Sequence, residues 1–421
     1  MNGPQTTTLA NGLRIVSEDS PHLETSAVGI WVDTGARNEA AEVNGISHVL
    51  EHMAFKGTTS RSARRIAEEI EAVGGHLNAY TSREQTAYYA RILKNDVALA
   101  VDLLADILQR SVFDAEELAR EQQVIIQEIG QTNDTPDDLV FDHFQETAFP
   151  DQAVGRSILG TPERVAGFRR DDLQRYLARQ YRAPHMVLSA AGRVDHAALV
   201  ALASRAFGAL PAGELDTPQA ARYAGGDRRE DRDLEQIHLV AGFNGVRYDD
   251  PDYYTAQVFS TVLGGGMSSR LFQEVREKRG LCYAIYSFSS SFVDGGIFGI
   301  YAGTGGDKLA ELMPAMVGEL GGLSGPIPEE EIDRARAQLK AGLLMALESS
   351  SARCEQFARQ TLIFGRVLST REIVERIDAV DARALSRFAE RLLAGGSPTL
   401  TALGPVAPLE AYDVFTARFG R

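Results

Sequence analysis

The feature of this sequence that most constrains its fold is an internal repeat. The segment FDAEELAREQQVIIQEI at 113–129 has a counterpart, IPEEEIDRARAQLKAGL, at 327–343. The offset between the two copies is close to half the chain, and such a period predicts two domains of similar structure. We place the first domain at 1–215, a linker at 216–233 and the second domain at 234–421. The linker is rich in proline, glycine and charged residues, which is typical of a domain boundary.

Apolar periodicity predicts the same order of strands and helices in both halves. Strands are expected where apolar residues alternate, and helices where they recur every three to four residues. The predicted strands are 8–16, 26–33, 76–93, 236–244 and 281–302, and the predicted helices are 45–55, 61–73, 95–110, 114–131, 251–263, 267–278, 307–322 and 328–350. Strands with one buried face, mixed with helices, indicate the α+β class. Each domain is then a mostly antiparallel sheet covered by helices.

Composition excludes two classes of protein. There are 58 acidic against 43 basic residues, a net charge of −15, whereas nucleic-acid binding rewards a basic surface. No apolar stretch approaches the length of about 18 residues without charge that a membrane-spanning helix needs, so we expect none. The N-terminus lacks a basic segment followed by an apolar one, and the two cysteines, Cys282 and Cys354, form no disulfide framework. These features favour a cytoplasmic protein.

A motif of the form H-x-x-E-H lies in the helix predicted at 45–55. Its residues are His48, Glu51 and His52. Positions i and i+4 share a helix face, so the two imidazoles can bind one zinc ion. Glu51 lies on the same stripe, where it can activate a water in the open coordination position. A catalytic zinc site needs a third protein ligand, which must come from elsewhere in the chain. Two surface histidines on an ordinary helix are the alternative.

A second helix, predicted at 114–131, carries two further carboxylates. Glu121 and Glu128 are two helical turns apart and therefore share a face. A carboxylate on a helix flank is usually only solvated. Here the number of residues between His52 and Glu128 helps to distinguish a metal ligand from an ordinary solvated carboxylate.

An H-x-x-E-H motif followed at this spacing by a glutamate resembles the inverted-motif zinc metallopeptidases of the pitrilysin and insulinase type. The segments SHVLEHMAFKGT, GGHLNAYTSREQTAYYA and REQQVIIQEI are similar to the β-subunit of the mitochondrial processing peptidases, and the likeness covers nearly the whole chain. The resemblance implies one Zn²⁺ per chain, with His48, His52 and Glu128 as ligands and Glu51 as general base. It makes Glu121 a residue that supports a ligand or the water.

The same resemblance implies a binding site for peptide substrates. Residues 75–81 resemble the family's active-site edge strand, on which an extended peptide adds as a further strand, with Asn78 and Ala79 facing the scissile bond. Asp138 and Asp142 match an acidic pair that suits an arginine near the cleavage point. An ordinary surface strand and a solvated acidic loop are the alternatives.

In the second half, Arg276 and Tyr283 lie close together in sequence, in the segment VREKRGLCYAIYS. Their spacing resembles the family's Arg–Tyr pair, which holds the substrate carbonyl and stabilises the oxyanion. In the family this pair faces the zinc half of the molecule. A chain that carries both halves of the apparatus is therefore expected to form a homodimer whose sites are completed in trans. The alternative is a packed strand tyrosine and a surface arginine.

Three functions are compatible with these residues. The first is a homodimeric metalloendopeptidase that hydrolyses unfolded peptides, with a preference for arginine near the cleavage site. The second is the zinc subunit of a heterodimeric processing peptidase. The third is a non-catalytic subunit similar to the core proteins of a respiratory complex, which typically lose zinc-site residues that this chain keeps.

Overall fold

Two β-sheets organise the chain in a computed structural model that describes residues 3–420. The strands of the first sheet are β1 (Gln5–Thr8), β2 (Arg14–Asp19), β3 (Thr25–Val32), β4 (His76–Thr81), β5 (Thr86–Leu93) and β6 (Met186–Gly192). The strands of the second sheet are β7 (Gly226–Asp231), β8 (Ile237–Asn244), β9 (Ala284–Ser291), β10 (Gly296–Thr304) and β11 (Thr399–Gly404). The spatial orders are β1-β2-β6-β3-β5-β4 and β7-β11-β8-β10-β9.

Helices cover both sheets. Those of the first half are α1 (Ile46–Ala54), α2 (Ala63–Ala72), α3 (Val97–Gln109), α4 (Ala115–Asn133), α5 (Pro136–Ala148), α6 (Pro162–Gly167), α7 (Arg170–Gln180) and α8 (His196–Phe207). Those of the second half are α9 (Tyr253–Gly264), α10 (Leu309–Gly322), α11 (Glu329–Ala346), α12 (Ser350–Phe364), α13 (Thr370–Asp378), α14 (Ala382–Ala394) and α15 (Tyr412–Ala417). None of the helices within residues 3–420 has the length and apolar character to cross a bilayer.

The two sheets repeat one topology. Each has one parallel pair, β2 with β6 and β7 with β11, and its other neighbours are antiparallel. The long helices α4 and α11 begin at Ala115 and Glu329, and the helices that follow them begin at Pro136 and Ser350, so both pairs are offset by the same interval. The α+β class and the internal duplication predicted from the sequence are therefore confirmed.

The chain forms two compact units that are not contiguous in sequence. The first contains the chain up to Gly130, Arg156–Gln219 and Met345–Leu368, and the second contains Gln131–Gly155, Ala220–Leu344 and the chain from Ser369. Helix α12 packs on β3 and β6 in the first unit, and α5 packs on β8 and β11 in the second. Each repeat thus contributes one helix to the other unit, which the contiguous bounds at 1–215 and 234–421 do not describe.

Strand β3 shows how the first unit is held together. All of its residues from Ser26 to Val32 are buried, because the sheet is covered on both faces. Val28 and Ile30 pack in the large core that includes α1, α3 and α8. Trp31 packs on the opposite face against Phe357 and other buried residues of α12. A strand buried on both faces reads as a continuous apolar run rather than an alternating one.

Several predicted elements differ in their bounds. The strand predicted at 8–16 is a hairpin of β1 and β2, with Gly12 at a φ of 93° in the turn. The acidic run at 132–138, for which a solvated loop was the alternative interpretation, leads into α5 at Pro136. The helix predicted at 267–278 begins only at Arg270, because Gly265 and Gly266 end α9 and a turn follows. Over Phe272–Lys278 it is a π-helix. Cys282 and Cys354 are free thiols, as expected.

Candidate metal centre

Helix α1, which carries the H-x-x-E-H motif, is fixed at its N-terminus by a buried carboxylate. Glu39 accepts the N–H groups of Gly45 (2.7 Å) and Ser47 (2.8 Å) and the side-chain amide of Asn44 (3.0 Å). The first N–H groups of a helix have no partner within the helix, so a carboxylate here satisfies them and favours the helix dipole. Burial raises the pKa of Glu39, and these hydrogen bonds oppose the rise. The sequence pattern did not predict this role for Glu39.

One face of α1 lies in the core and another faces the candidate site. Val49, Leu50 and Met53 are buried in the large core of the first unit. His48 and His52 share the remaining face, and their ring centroids are 4.6 Å apart. The i, i+4 spacing therefore brings both imidazoles together, as the motif predicts.

A third ligand candidate reaches these histidines from α4. Nε2 of His48 lies 3.7 Å from Oε2 of Glu128, and Nε2 of His52 lies 3.8 Å from the same oxygen. One ligand atom from each of the three residues lies within 4.8 Å of the others. Tetrahedral zinc with bonds of about 2.0–2.1 Å places ligand atoms about 3.4 Å apart, so the arrangement fits this ion. Two imidazoles and a carboxylate are also a donor set of catalytic zinc sites.

His48 is in the protonation state that metal binding needs. Burial, together with the neighbouring His52, lowers the pKa of His48 to about 4, so its imidazole is neutral at physiological pH. Nδ1 of His52 lies 3.0 Å from Oε2 of Glu121, an arrangement that directs Nε2 towards Glu128. Within residues 3–420, Nδ1 of His48 is buried and has no hydrogen-bond partner. His52 is thus the histidine whose ring is oriented by a protein carboxylate.

Glu121 is itself held in place by a lysine. Nζ of Lys56 lies 2.6 Å from Oε1 of Glu121, while Oε2 contacts His52. Burial by itself would raise the pKa of Glu121, but the hydrogen bonds from Lys56 and His52 outweigh it and the pKa lies below its ordinary value. Glu121 therefore stays a carboxylate. Lys56 was not predicted as a site residue, because it lies beyond the end of α1 and reaches Glu121 by a tertiary contact.

Glu51 occupies the position expected of a base. Its Oε2 accepts a hydrogen bond of 2.6 Å from Oγ1 of Thr81, the last residue of β4. Burial raises the pKa of Glu51, with a smaller contribution from Glu128, while Thr81 and His52 oppose the rise. A carboxyl group whose pKa is raised towards neutrality is a stronger base. The contact with Thr81 was not predicted from the sequence.

Strand β4 lies at the open edge of the first sheet, beside the candidate site. Within residues 3–420 it pairs with β5 on one side only. Ala79 and Thr81 face the same side as Tyr88, towards α1, while Asn78 faces the opposite side. Oδ1 of Asn78 accepts the main-chain N–H of Ala79 at 2.8 Å. Asn78 and Ala79 are therefore neighbours at the edge but present their side chains to different faces.

The remaining predicted site residues lie in the second unit. Arg276 belongs to the π-helix, and its guanidinium lies 5.4 Å from the ring centroid of Tyr283. The Tyr283 residue is 77% exposed, and it directly precedes β9. Asp138 and Asp142 lie one turn apart on α5, the first exposed and the second partly buried. Within the second unit, the structure thus places Arg276 beside Tyr283, and it places Asp138 one turn from Asp142. The zinc-site residues belong to the first unit.

The fold and the zinc-type ligand cluster define the class of protein, a metallopeptidase. The chain matches the model of the insulinase family (peptidase family M16) over residues 14–162 and that of the peptidase M16 inactive domain over residues 167–339. It is 41% identical to an uncharacterized zinc protease of Rickettsia bellii over 94% of this chain and 96% of that protein. It is 39% identical to a probable mitochondrial-processing peptidase subunit beta of Arabidopsis thaliana, over 99% of this chain and 82% of that protein. The chain therefore belongs to peptidase family M16.

Solved structures show the same fold. A chain of complex III2 from Candida albicans with Inz-5 bound has a TM-score of 0.89 and 24% identity, and the match covers 99% of this chain and 100% of that chain. A protease from Helicobacter pylori has a TM-score of 0.87 and 22% identity, over 96% and 99%. From the family match and the relatives named as zinc proteases, the chain is a zinc metalloendopeptidase, similar to the β-subunits of mitochondrial processing peptidases.

Proposed function

We propose that His48, His52 and Glu128 hold the zinc ion and that Glu51 is the general base for hydrolysis of unfolded peptides. The observation that carries this proposal is the convergence of three ligand atoms within 4.8 Å, two of them from histidines that lie within one turn of Glu51 on α1. A zinc ion bound here supplies Lewis acidity, which polarises the scissile carbonyl and acidifies water. Glu51 takes the proton of the attacking water and passes it to the leaving amine. Thr81 holds one oxygen of Glu51, so the other carries the proton.

The peptide binds as an added strand on β4. The edge position of β4 supports this, because an open edge presents N–H and C=O groups to a new strand. The N–H of Ala79 is bonded by Asn78 Oδ1, an interaction that a substrate carbonyl replaces. Main-chain pairing reads little sequence, so the enzyme accepts many extended peptides.

The second unit supplies further substrate contacts. The exposed hydroxyl of Tyr283 and the neighbouring guanidinium of Arg276 are suitable donors for a substrate carbonyl and a developing oxyanion. Asp138 and Asp142 give a preference for arginine near the cleavage site, since two carboxylates one turn apart suit a guanidinium. The chain acts as a homodimer, in which the Arg–Tyr pair of one protomer completes the zinc site of its partner. The relatives named as β-subunits favour the alternative of a different partner chain.

The experiment is cleavage of a quenched fluorescent peptide that contains arginine. Wild type, Glu51→Gln and the surface control Glu68→Gln, whose side chain pairs with Arg64 on α2, are each assayed before chelation, after chelation and after zinc is restored. We expect wild type and Glu68→Gln to cleave, to lose activity to the chelator and to regain it with zinc, while Glu51→Gln binds zinc without cleaving. Cleavage by Glu51→Gln at the wild-type rate would contradict the role of Glu51.

A mixing test decides whether sites are shared between protomers. Glu51→Gln chains are mixed with Tyr283→Phe chains under conditions that allow subunit exchange. If sites are completed in trans, part of the activity returns, because one site of the mixed dimer has an intact Glu51 and an intact Tyr283. No recovery after demonstrated exchange would contradict the shared site.

A further inference from the structure

Tyr80 lies at the centre of a hydrogen-bonded bridge in the first unit. Nε1 of Trp31 donates to the Tyr80 hydroxyl at 3.1 Å, and this hydroxyl donates to Oε1 of Glu355 at 3.0 Å. Trp31 belongs to β3, Tyr80 to β4 and Glu355 to α12. Since β5 separates β3 from β4, the bridge ties the outer edge of the sheet both to an inner strand and to a helix. Tyr80 belongs to the segment 75–81 that was predicted as the active-site edge strand, but no role was predicted for its side chain or for Trp31 and Glu355.

The helix end of the bridge is a rigid support. Cys354, Phe357 and Ala358 of α12 are buried against the sheet in one apolar cluster with Trp31. The ring of Tyr80 also packs near Tyr89, with centroids 6.3 Å apart. In contrast, β4 has a pairing strand on one side only, among the strands of residues 3–420. A fixed helix therefore restrains β4 on the face opposite α1, in addition to its pairing with β5.

The bridge acts one residue away from the contact with the general base. Successive strand residues point to opposite faces, so Tyr80 reaches α12 while Thr81 reaches Glu51 on α1. The C-terminal end of β4 is thus held from both faces of the sheet. A shift of this end on the side of α12 would move the main-chain groups at Ala79, while the contact of Thr81 with Glu51 holds the other face.

We propose that Tyr80 and Glu355 are positioning residues that fix the open edge of β4 for the main chain of an extended peptide. This inference rests on the proposed peptidase function and deepens it. Tyr80 holds β4 in the position in which a substrate strand can pair with its open edge. Glu355 acts through Tyr80 and does not touch the substrate.

The kinetic test uses changes that keep the packing. Tyr80→Phe removes only the hydroxyl, Glu355→Ala removes its acceptor, and Glu355→Gln keeps an acceptor oxygen. For a quenched fluorescent peptide of about ten residues, we expect Tyr80→Phe and Glu355→Ala each to raise KM about three- to tenfold, the loss typical of one such hydrogen bond, with kcat changed less than about twofold. Glu355→Gln should stay close to wild type. The double variant Tyr80→Phe/Glu355→Ala should resemble either single variant, because both break the same bridge.

A matched control and a second measurement separate positioning from stability. Tyr412→Phe removes a hydroxyl that donates to the main-chain oxygen of Pro398 in the second unit, and should leave KM unchanged. Amide hydrogen exchange over 76–81 should become faster in Tyr80→Phe and stay slow in Tyr412→Phe. A lower melting temperature with unchanged KM and unchanged exchange would overturn the proposal. If the wild type shows no zinc-dependent cleavage, the proposed function fails, and the exchange measurement alone still decides whether the bridge fixes β4.

Discussion

The two units build one topology but place different chemistry beneath the edge strand. In the first unit α1 lies next to β4 and presents His48, Glu51 and His52. In the second unit α9 packs against the equivalent strand, β9, and its sequence, YYTAQVFSTVLG, contains neither histidine nor glutamate. The repeat therefore specifies the scaffold, and the side chains of two helices, α1 and α4, decide whether a metal can bind. A fold alone does not indicate which unit is catalytic.

The contact between helix and edge strand also differs. In the second unit a Cβ on Gly264 would lie 2.4 Å from the main-chain nitrogen of Ser287, so α9 approaches β9 closely. Ser287 also donates to the main-chain oxygen of Ser260 at 2.7 Å. In the first unit the corresponding contact is made by side chains, Thr81 with Glu51. The close approach of α9 to β9 leaves no room for a side chain at Gly264, so this part of α9 could not carry a metal ligand without a shift of the backbone.

The largest expected effect comes from removing a metal ligand. Glu128→Ala should reduce bound zinc from one per chain to a trace and abolish peptide cleavage, because two histidines alone leave a catalytic zinc site one ligand short. The control Gln257→Ala changes α9 and should keep full zinc and activity. Zinc content by elemental analysis and the peptidase assay check both. One zinc ion per chain in Glu128→Ala would contradict the account of the first unit as the metal-binding one.

The next effect concerns the carboxylate that orients His52. Glu121→Ala removes the partner of Nδ1 and leaves Lys56 without its carboxylate. We expect zinc affinity to fall about 10- to 100-fold, the range seen when such supporting partners are removed. Competition with a fluorescent chelator measures this. Unchanged affinity would mean that packing alone orients the His52 ring.

A smaller effect follows from the hydroxyl contacts of the two edge strands. Thr81→Val removes the hydrogen bond to Glu51 and should lower kcat/KM about tenfold, since a hydrogen bond to a charged group contributes about 1.5–3 kcal/mol. Ser287→Ala should leave kcat/KM unchanged and lower the free energy of unfolding by about 1 kcal/mol. Steady-state kinetics and urea unfolding distinguish the two. Equal kinetic effects would show that the edge strands do not differ in function.

The smallest effect is on the acid stability of the second unit. Hydrogen bonds from Arg391 hold the pKa of Asp250 below its ordinary value of 3.8. As pH falls, the unfolded chain takes up this proton first, so the contribution is present above about pH 4 and is lost as pH falls through the lowered pKa. Asp250→Asn should lower the free energy of unfolding at pH 7 by about 1 kcal/mol or less, and the variant should lose less stability than wild type below pH 4. Activity should be unchanged. Urea unfolding at several pH values checks this. If the free energy of unfolding fell equally steeply with pH in wild type and in Asp250→Asn, the prediction would be wrong.

The sequence predicted the catalytic helix well because its information is local. The i, i+4 spacing of His48 and His52 is a property of one helix, and it brings the two rings together as expected. The match of Glu128 depended on the family resemblance, since its approach to α1 is a tertiary contact. Glu39 and Thr81 were missed for the same reason, because each acts across a turn or between elements.

Two helices show a different limit. A solvated acidic loop was one of the two interpretations of the residues around Pro136, although proline in the first turn followed by aspartates is a helix start signal. Helix α12 could not have been placed, because its buried face packs on strands far earlier in the chain, as in the contact of Cys354 with Ser189 of β6. Nothing in the local pattern of Ser350–Phe364 indicates which sheet it covers. The exchange of α5 and α12 between the units is therefore visible only in three dimensions.

The most direct measurement of the central claim is a crystal structure of the Glu51→Gln protein with zinc and an uncut peptide, recorded at the zinc absorption edge. We expect one anomalous peak per chain, about 2.0–2.2 Å from Nε2 of His48, Nε2 of His52 and a carboxylate oxygen of Glu128. The peptide should lie as an added strand along β4 with a carbonyl at the metal. A zinc peak elsewhere, or a peptide bound away from β4 while the site holds zinc, would contradict the account.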